Sequence, residues 1–421
     1  MRRVLRTHRS ILFAVPLIAL LGGLGYALPA AARIPLMHTP TTYCVKWKGV
    51  SSPNVASDDN YLEGVAALSD QDVWAVGYVV TASYTEQGLI EHYNGTSWNN
   101  VPNPTPAPLI SELLGVATIS SADAWAVGYY ANAGQYNQPL IEHWDGTSWH
   151  TVSSPNIASE GASFSAVAAV SATDVWAVGN LLNSSTKETQ TLIEHWNGTN
   201  WSIIPSPNVS PTSYGDYLTA LAVISDNDIW VAGTNTTISN ADQTLLMHWN
   251  GSAWSIVPSP NADSSSASND LSSIAALSST DVWAVGSYMY DSGNGYDATL
   301  AEHWDGSAWS IVSSPNEGIS TSLNGITAVS GTNQLWAVGD YFDSLNQPTE
   351  TLTQRWDGKQ WSIISSPNIS GASGNVLLSV TSLSMNDQWA VGWFRIPGAH
   401  SSTLTEHRAL ASSPTGACPN Y

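Results

Sequence analysis

The residues of this chain best suited to chemistry come as pairs of glutamate and histidine. Six of the ten histidines, His92, His143, His195, His248, His303 and His407, stand in one recurring setting, usually directly after glutamate, as in Glu194-His195. Such a pair suits metal ligation or acid–base transfer. Copies that return once in each repeating unit are spread through the molecule and do not converge on one centre. Structural hydrogen bonding is therefore the expected role, with the aspartate that opens the preceding strand as partner, as at Asp174 or Asp281. That aspartate occurs in six copies and is replaced once by Gln334. Because the histidines repeat and do not cluster, copper oxidase chemistry is not expected.

Carboxylates offer two further chemistries. Asp291, Asn294 and Asp297 carry oxygens of the kind Ca²⁺ takes, but their spacing departs from the twelve-residue calcium loop. A glycoside hydrolase needs two carboxylates facing each other across its substrate, and Asp291, Asp297 and Asp343 are available for that. A sialidase-like site would also need convergent arginines. Only Arg355, Arg395 and Arg408 are at hand, and two of these occupy repeat positions. No catalytic residue, no metal site and no cofactor is expected.

Recognition is the better use of what remains. The segments that do not repeat are rich in tyrosine: Tyr129, Tyr130 and Tyr136 in one, Tyr288, Tyr290, Asp291, Tyr296 and Asp297 in another, and Tyr341 in a third. Loops carry function on rigid scaffolds, and tyrosine beside Asn, Asp and Ser makes contact area with little flexibility to lose. Trp393 and Arg395 stand out as well. Trp393 is the only tryptophan outside the repeating positions, and Arg395 is among the few cations of the body.

The elements that must position these residues follow from one repeated stretch. Trp74, Trp125, Trp176, Trp230, Trp283, Trp336 and Trp389 each sit in a Trp-Ala-Val-Gly or Trp-Val-Ala-Gly setting, at steps of 51, 51, 54, 53, 53 and 53 residues. That period, carried by short alternating apolar segments, predicts a repeated β unit. In the first copy four strands are expected at 61–68, 73–79, 88–93 and 97–101. The turn between the last two is Asn94-Gly95, read as a type I′ hairpin with φ > 0 at both positions. After the fourth strand most copies carry Ser-Pro-Asn, whose proline ends the edge strand. Four antiparallel strands repeated seven times predict a seven-bladed β-propeller. The turns between first and second and between third and fourth strands are short and uniform. The variable loops gather on the opposite face.

The chain ends support a closed ring. The seventh unit has strands at 376–383, 386–394 and 403–408 but lacks a fourth. Residues 47–54 supply it, since Trp47 to Asn54 match Trp361 to Asn368. Cys44 and Cys418 flank that junction and read as a disulfide if the chain is exported. Of the 20 tryptophans, 19 hold repeating positions and are expected to fill the wedges between blades. The Trp-Ala-Val-Gly strand, the Asp305 to Trp309 hairpin and the closing arrangement resemble the kelch, galactose-oxidase and Asp-box (BNR) groups of β-propellers, over about residues 43–410. The resemblance implies a fold and no particular activity.

Charge sets the remaining limits. The 421 residues carry a net charge of −21, and Arg2, Arg3, Arg6, Arg9 and Arg33 lie in an N-terminal stretch without acids, leaving 7 basic against 33 acidic residues in the body. Such a body repels phosphate, so no nucleic-acid partner is expected, nor any membrane contact apart from an N-terminal anchor. The arginines precede an uncharged run at 11–32 that ends in Ala30-x-Ala32, so residues 1–33 read as a signal peptide or membrane anchor. Residues 34–42 then form a linker, 43–410 the propeller, and 411–421 a tail with Cys418. The expected protein is secreted or held on the outer side of the membrane, and monomeric. It would be a non-enzymatic binding propeller that recognises a glycan, peptide or envelope partner through one loop-rich face. The alternative is a polysaccharide-acting glycoside hydrolase or lyase on the same face.

Overall fold

The computed structural model describes residues 42–413, apart from 56–57, 105, 108, 132–135, 156–160, 184, 210–212, 240, 263–267, 292–294 and 345–346. The N-terminal segment 1–33, all but the last residue of the linker 34–42, Asn294 and the end of the tail with Cys418 lie outside the described residues. Among the described residues the chain is all-β, with 28 strands. In each repeat we letter the strands a to d, from the one that begins it to the outermost. In the first repeat these are Asp59–Ser69, Asp72–Val80, Glu86–Tyr93 and Trp98–Asn100. They pair in that order as an antiparallel four-stranded sheet.

The other repeats follow the same pattern. The sheets of the third and fourth repeats are joined by a single parallel bridge, Thr189 to Gly215. The d strands are shorter than expected, three residues in every copy where d follows c directly. The seventh repeat comprises Gly374–Ser384, Asp387–Arg395 and Ser401–Ser413. Its fourth strand is Thr42–Val50 from the other end of the chain, paired antiparallel with the last strand from Thr42–Ser413 to Val50–Thr405.

The repeated tryptophan fills the space between consecutive sheets. Trp125 packs on Trp196 and Trp201 of the next repeat, with centroids 5.1 and 5.3 Å away. Trp283 does the same with Trp356 and Trp361. Trp336 meets Trp47 of the N-terminal strand at 5.7 Å, and Trp389 of the seventh repeat meets Tyr93 and Trp98 of the first at 4.6 and 5.4 Å. Each apolar cluster accordingly draws on two neighbouring repeats, and one joins Trp389 and Val391 to Leu62, Val73 and Leu89.

The glycine of Trp-Ala-Val-Gly is fixed by a close backbone approach. A Cβ on Gly179 would lie 2.0 Å from the Ser163 carbonyl oxygen, and the equivalent glycines are as crowded. The partner strand bulges at the next residue, with a register shift between Phe164 and Ala166, and the same shift recurs in every a strand.

The hairpin differs from the expected type I′ turn. Tyr93 pairs with Trp98 across four intervening residues, and only Gly95 has positive φ, at 90°. The Asn94 side-chain oxygen instead accepts from the backbone N–H groups of Thr96 and Ser97, both at 3.1 Å. A longer loop lets the side chain mimic a backbone turn, so Asn or Asp is selected for its oxygen and only glycine for its φ. Asp145, Asp305 and Asp357 make the same bonds.

Candidate functional site

The histidines take up the expected partners. His92, His143, His195, His248, His303 and His407 each place Nε2 2.8 to 3.0 Å from the aspartate that opens strand b. Each ring also lies on the repeated tryptophan, 4.2 Å away for Trp74 and His92. In the sixth repeat the pair becomes Gln334 and Arg355, with Arg355 Nε and Nη2 donating to Gln334 Oε1 at 3.2 and 3.0 Å. A tie between strands b and c is thus kept while its chemistry changes, which argues for a structural role. Among the described residues no group of three or more His, Cys, Asp or Glu is arranged to hold a metal ion.

A functional centre is better sought where all seven a strands meet. They line a common cavity of about 220 Å³, each contributing three consecutive residues. The bulged residue of each strand, Glu63, Leu114, Ser165, Thr219, Ser272, Asn324 or Leu378, is among them. Two of these side chains reach the neighbouring repeat: Thr219 Oγ1 donates to the Leu271 carbonyl at 2.7 Å, and Asn324 Nδ2 to the Leu377 carbonyl at 2.9 Å. Glu63 is the only titratable residue in the lining. Burial raises its carboxyl to about 7.

Glu63 belongs to a larger acidic and aromatic group. Strand pairing sets Tyr61 opposite Tyr78 and Glu112 opposite Tyr129 at the loop ends of strands a and b. Tyr61 and Tyr78 stack at 5.1 Å, and Trp393 meets Tyr61 edge-on at 5.8 Å. Burial, then a shared hydrogen bond with Glu86, raises Glu112 to about 8, while the Tyr129 hydroxyl opposes that rise. Burial and the same carboxyls push the phenols of Tyr78 and Tyr129 well above their ordinary range. No lysine or arginine contributes to any of these shifts. The site therefore offers hydrogen-bond donors and acceptors and aromatic faces, with acidic groups that become negative as pH rises through about 7 to 8.

The expected site residues separate into several places. Tyr129 and Trp393 join this group. Tyr130 lines a different cleft, with Gln138, Pro139 and Ser154, and Tyr136 is exposed beside Asn137 and Gly161. Tyr288, Tyr290 and Asp297 share a third hollow with Ile319 and Thr321, where the Tyr290 hydroxyl donates to the Ile319 carbonyl at 2.7 Å. Near it Asp270 is raised to about 6 by burial, Asp242 and Asp297. Tyr296 packs on Phe342, and the Tyr341 hydroxyl donates to Glu350 Oε2 at 2.7 Å, which ties it down within its own sheet. Asp291 ends strand b of the fifth repeat. Asp343 and Arg395 are exposed.

Sequence reasoning did not select Glu63, Glu86, Glu112, Tyr61 or Tyr78. The available signal was departure from the repeat. Where Glu63 stands, the other copies carry Leu, Ser, Thr or Asn, and where Tyr61 and Glu112 stand, others carry Ser, Tyr, Asp or Val.

With this geometry in hand, comparison with known proteins adds the fold. No family model matches the chain, and no curated protein matches it. Solved structures do. YCF48 bound to a D1 peptide is 11% identical, with a TM-score of 0.52 over 86% of this chain and 96% of that one. An ulvan lyase from a new polysaccharide lyase family is 10% identical, with a TM-score of 0.56 over 84% and 93%. A protein of unknown function from Dyadobacter fermentans is 12% identical, with a TM-score of 0.51 over 88% and 99%. The fold is of the β-propeller type. At these identities the likeness extends to architecture alone, and no kelch or Asp-box membership follows from it.

Proposed function

We propose that this chain is an exported, non-enzymatic binding propeller of seven blades, closed by its N-terminal strand, that holds a glycan, peptide or envelope partner at the mouth of the central cavity. The observation that carries this reading is the convergence of Glu63, Glu86 and Glu112 with Tyr61, Tyr78, Tyr129 and Trp393. Stacked aromatic rings beside hydrogen-bonding carboxyls suit sugar rings or peptide side chains. Carboxyl groups with no lysine or arginine among the groups that shift them give a polyanion nothing to pair with, so the ligand is neutral or cationic. YCF48, similar in fold, is known bound to a D1 peptide, so a propeller of this type can hold a peptide. Export through the segment 1–33, a Cys44–Cys418 disulfide and a monomeric state belong to the same proposal.

The test is binding by the full chain to neutral, cationic and anionic glycan arrays and to envelope fractions. Trp393→Ala and Tyr61→Ala each remove an aromatic face and are expected to weaken binding about tenfold or more, at roughly 1–3 kcal/mol. Retention by a polyanionic glycan, or unchanged affinity in both variants, would overturn the reading.

One observation favours a second reading, a lyase or hydrolase acting on polysaccharide. Glu112 keeps its proton near neutral pH beside the Tyr129 hydroxyl, as a general acid would. The Glu86–Glu112 contact is, however, closer than the ~5 Å or more that separates the carboxyls of glycoside hydrolases. Release of new reducing ends or of unsaturated products by the wild type, lost in Glu112→Gln, would decide for this reading.

A further inference from the structure

Five glutamates precede histidines in the c strands: Glu91, Glu142, Glu194, Glu302 and Glu406. All are 0% exposed. Each shares a strand face with the leucine two residues before it, and Leu192 packs against Trp125, Val127 and Ile141 of the preceding repeat. Leu89, Leu140, Leu300 and Leu404 do likewise. The carboxyls therefore lie between consecutive sheets, towards the segment that carries Ser-Pro-Asn in the preceding repeat. Among the described residues, nearly all their oxygens lack a hydrogen-bond partner. Ser154 Oγ donates to Glu194 at 2.7 Å, and the side chains of Asn103 and Ser259 lie beside Glu142 and Glu302 without meeting strict geometry.

The two remaining repeats show what this position requires. In the sixth, Gln354 takes the place of the glutamate, fully buried, and its Nε2 donates to the Pro315 carbonyl of the preceding repeat at 2.8 Å. In the fourth, Met247 takes it, also fully buried. A carboxamide and a thioether share one property with a protonated carboxyl: all are uncharged. A buried carboxylate with neither a cation nor enough donors would cost several kcal/mol, whereas a carboxylic acid can donate as Gln354 does.

We infer that these five glutamates are uncharged in the folded protein and act as proton-dependent ties between consecutive sheets, each able to donate its O–H to the preceding repeat as Gln354 Nε2 donates to Pro315. Losing those protons loosens several sheet-to-sheet contacts together. The fold thereby carries a built-in sensitivity to alkaline conditions.

The surroundings agree. In register beside the glutamates lie Ala75 and Asn100, Ala126 and Thr151, Ala177 and Ile203, Ala284 and Ile311, and Ala390 and Gly49, none of them charged. For four of them the preceding repeat carries a His–Asp pair whose ring lies on the tryptophan that packs on the glutamate's own repeat: His407–Asp387 before Glu91, His92–Asp72 before Glu142, His143–Asp123 before Glu194, and His248–Asp228 before Glu302. Before Glu406 the preceding repeat carries Arg355 and Gln334 instead, and Glu406 shares its own strand face with Arg408, which lies over Trp336 of that repeat. None of these charges contributes to the five carboxyls. Burial alone raises Glu91 to about 8 and Glu406 well above its ordinary range. Burial, slightly opposed by the neighbouring polar side chain, raises Glu142 and Glu302 to about 8 and Glu194 to about 7. In the folded state these groups hold protons that the unfolded chain releases near 4.5. Their contribution is thus complete below that value and is lost as pH rises through about 7 to 8.

Infrared spectroscopy of the full wild-type chain tests this without any variant. A protonated-carboxyl C=O band is expected in the folded protein at about pH 6, fading towards about pH 9. Glu63 and Glu112 also hold protons at that pH, so Glu302→Gln, which reproduces the side chain of Gln354, should fold and weaken the band by about one part in seven. It should also flatten the fall of urea stability over that range. The folding constant changes by up to about three thousandfold per carboxyl carried from 4.5 to about 8. Absence of the band at about pH 6, or an unchanged pH dependence in Glu302→Gln, would overturn the inference.

Discussion

Among single residues, close approach and burial decide more than residue type. Gly179 and Gly49 are both glycines in strands, yet a Cβ on the first would collide with the Ser163 carbonyl at 2.0 Å, while one on the second would meet nothing within 4 Å. Gly179→Ala should therefore cost more than about 4 kcal/mol, and Gly49→Ala should stay within about 0.5 kcal/mol. Urea denaturation of the two variants checks both, and equal effects would mean that the bulge in strand a yields easily. The same contrast explains what could be read from the sequence at this scale. Trp-Ala-Val-Gly was visible as a repeat because packing demands it seven times. His195 and Asp174 were visible as partners for the same reason. The glutamate beside each histidine was misleading, because adjacent residues on a strand face opposite ways: Glu194 is buried against the preceding repeat while His195 pairs with Asp174. Gln354 and Met247 at the matching positions were the clue that this side faces a neutral environment.

At the level of the strand, the N-terminal segment shows how pairing substitutes for sequence continuity. Thr42–Val50 lies nine residues long against the last strand, while the d strands of the other repeats have three residues. The added length covers an edge that would otherwise present unpaired N–H and C=O groups. Its anchor is Trp47, 4% exposed and packed edge-on against Trp336. Asn54 and Ser52 continue the tie, the first accepting from the Thr403 backbone N–H at 2.8 Å and the second bonding the Thr403 hydroxyl at 2.5 Å. Trp47→Ala is expected to cost about 3–5 kcal/mol through the cavity it leaves, measured by denaturation of the full chain. A cost below about 1 kcal/mol would show that the strand is an accessory. This element was legible because Trp47 to Asn54 copy the end of a repeat. The mouth of the cavity was not, because Glu63 and Glu112, and Tyr61 and Trp393, come from different repeats and approach each other only when those repeats are packed side by side.

Over the whole molecule, the two chain ends are brought together by pairing and packing alone. Repeats elsewhere are joined by short connections, so a neighbour that separates remains tethered beside its partner. The first and last repeats are also packed together, through Trp389 on Trp98 and through the N-terminal strand on Ser401–Ser413. Loss of that strand would expose the long edge of the last sheet and the apolar cluster around Trp336. A cross-link at this junction acts where chain connectivity is weakest, and Cys44 stands on the N-terminal strand opposite Ala411, seven residues before Cys418 in the sequence. Pairing of Cys44 with Cys418 closes a loop of about 375 residues, which in the chain-entropy model is worth up to about 6 kcal/mol. Intact mass of the native protein should be two hydrogens below that of the reduced form. Reduction, or Cys44→Ser, should lower the unfolding midpoint while leaving the far-ultraviolet signature of the folded state unchanged at room temperature, because the sheets and their tryptophan contacts persist. Two free thiols by mass, or an unfolding midpoint indifferent to reductant, would assign the hold on this junction to the strand and its Trp47 alone.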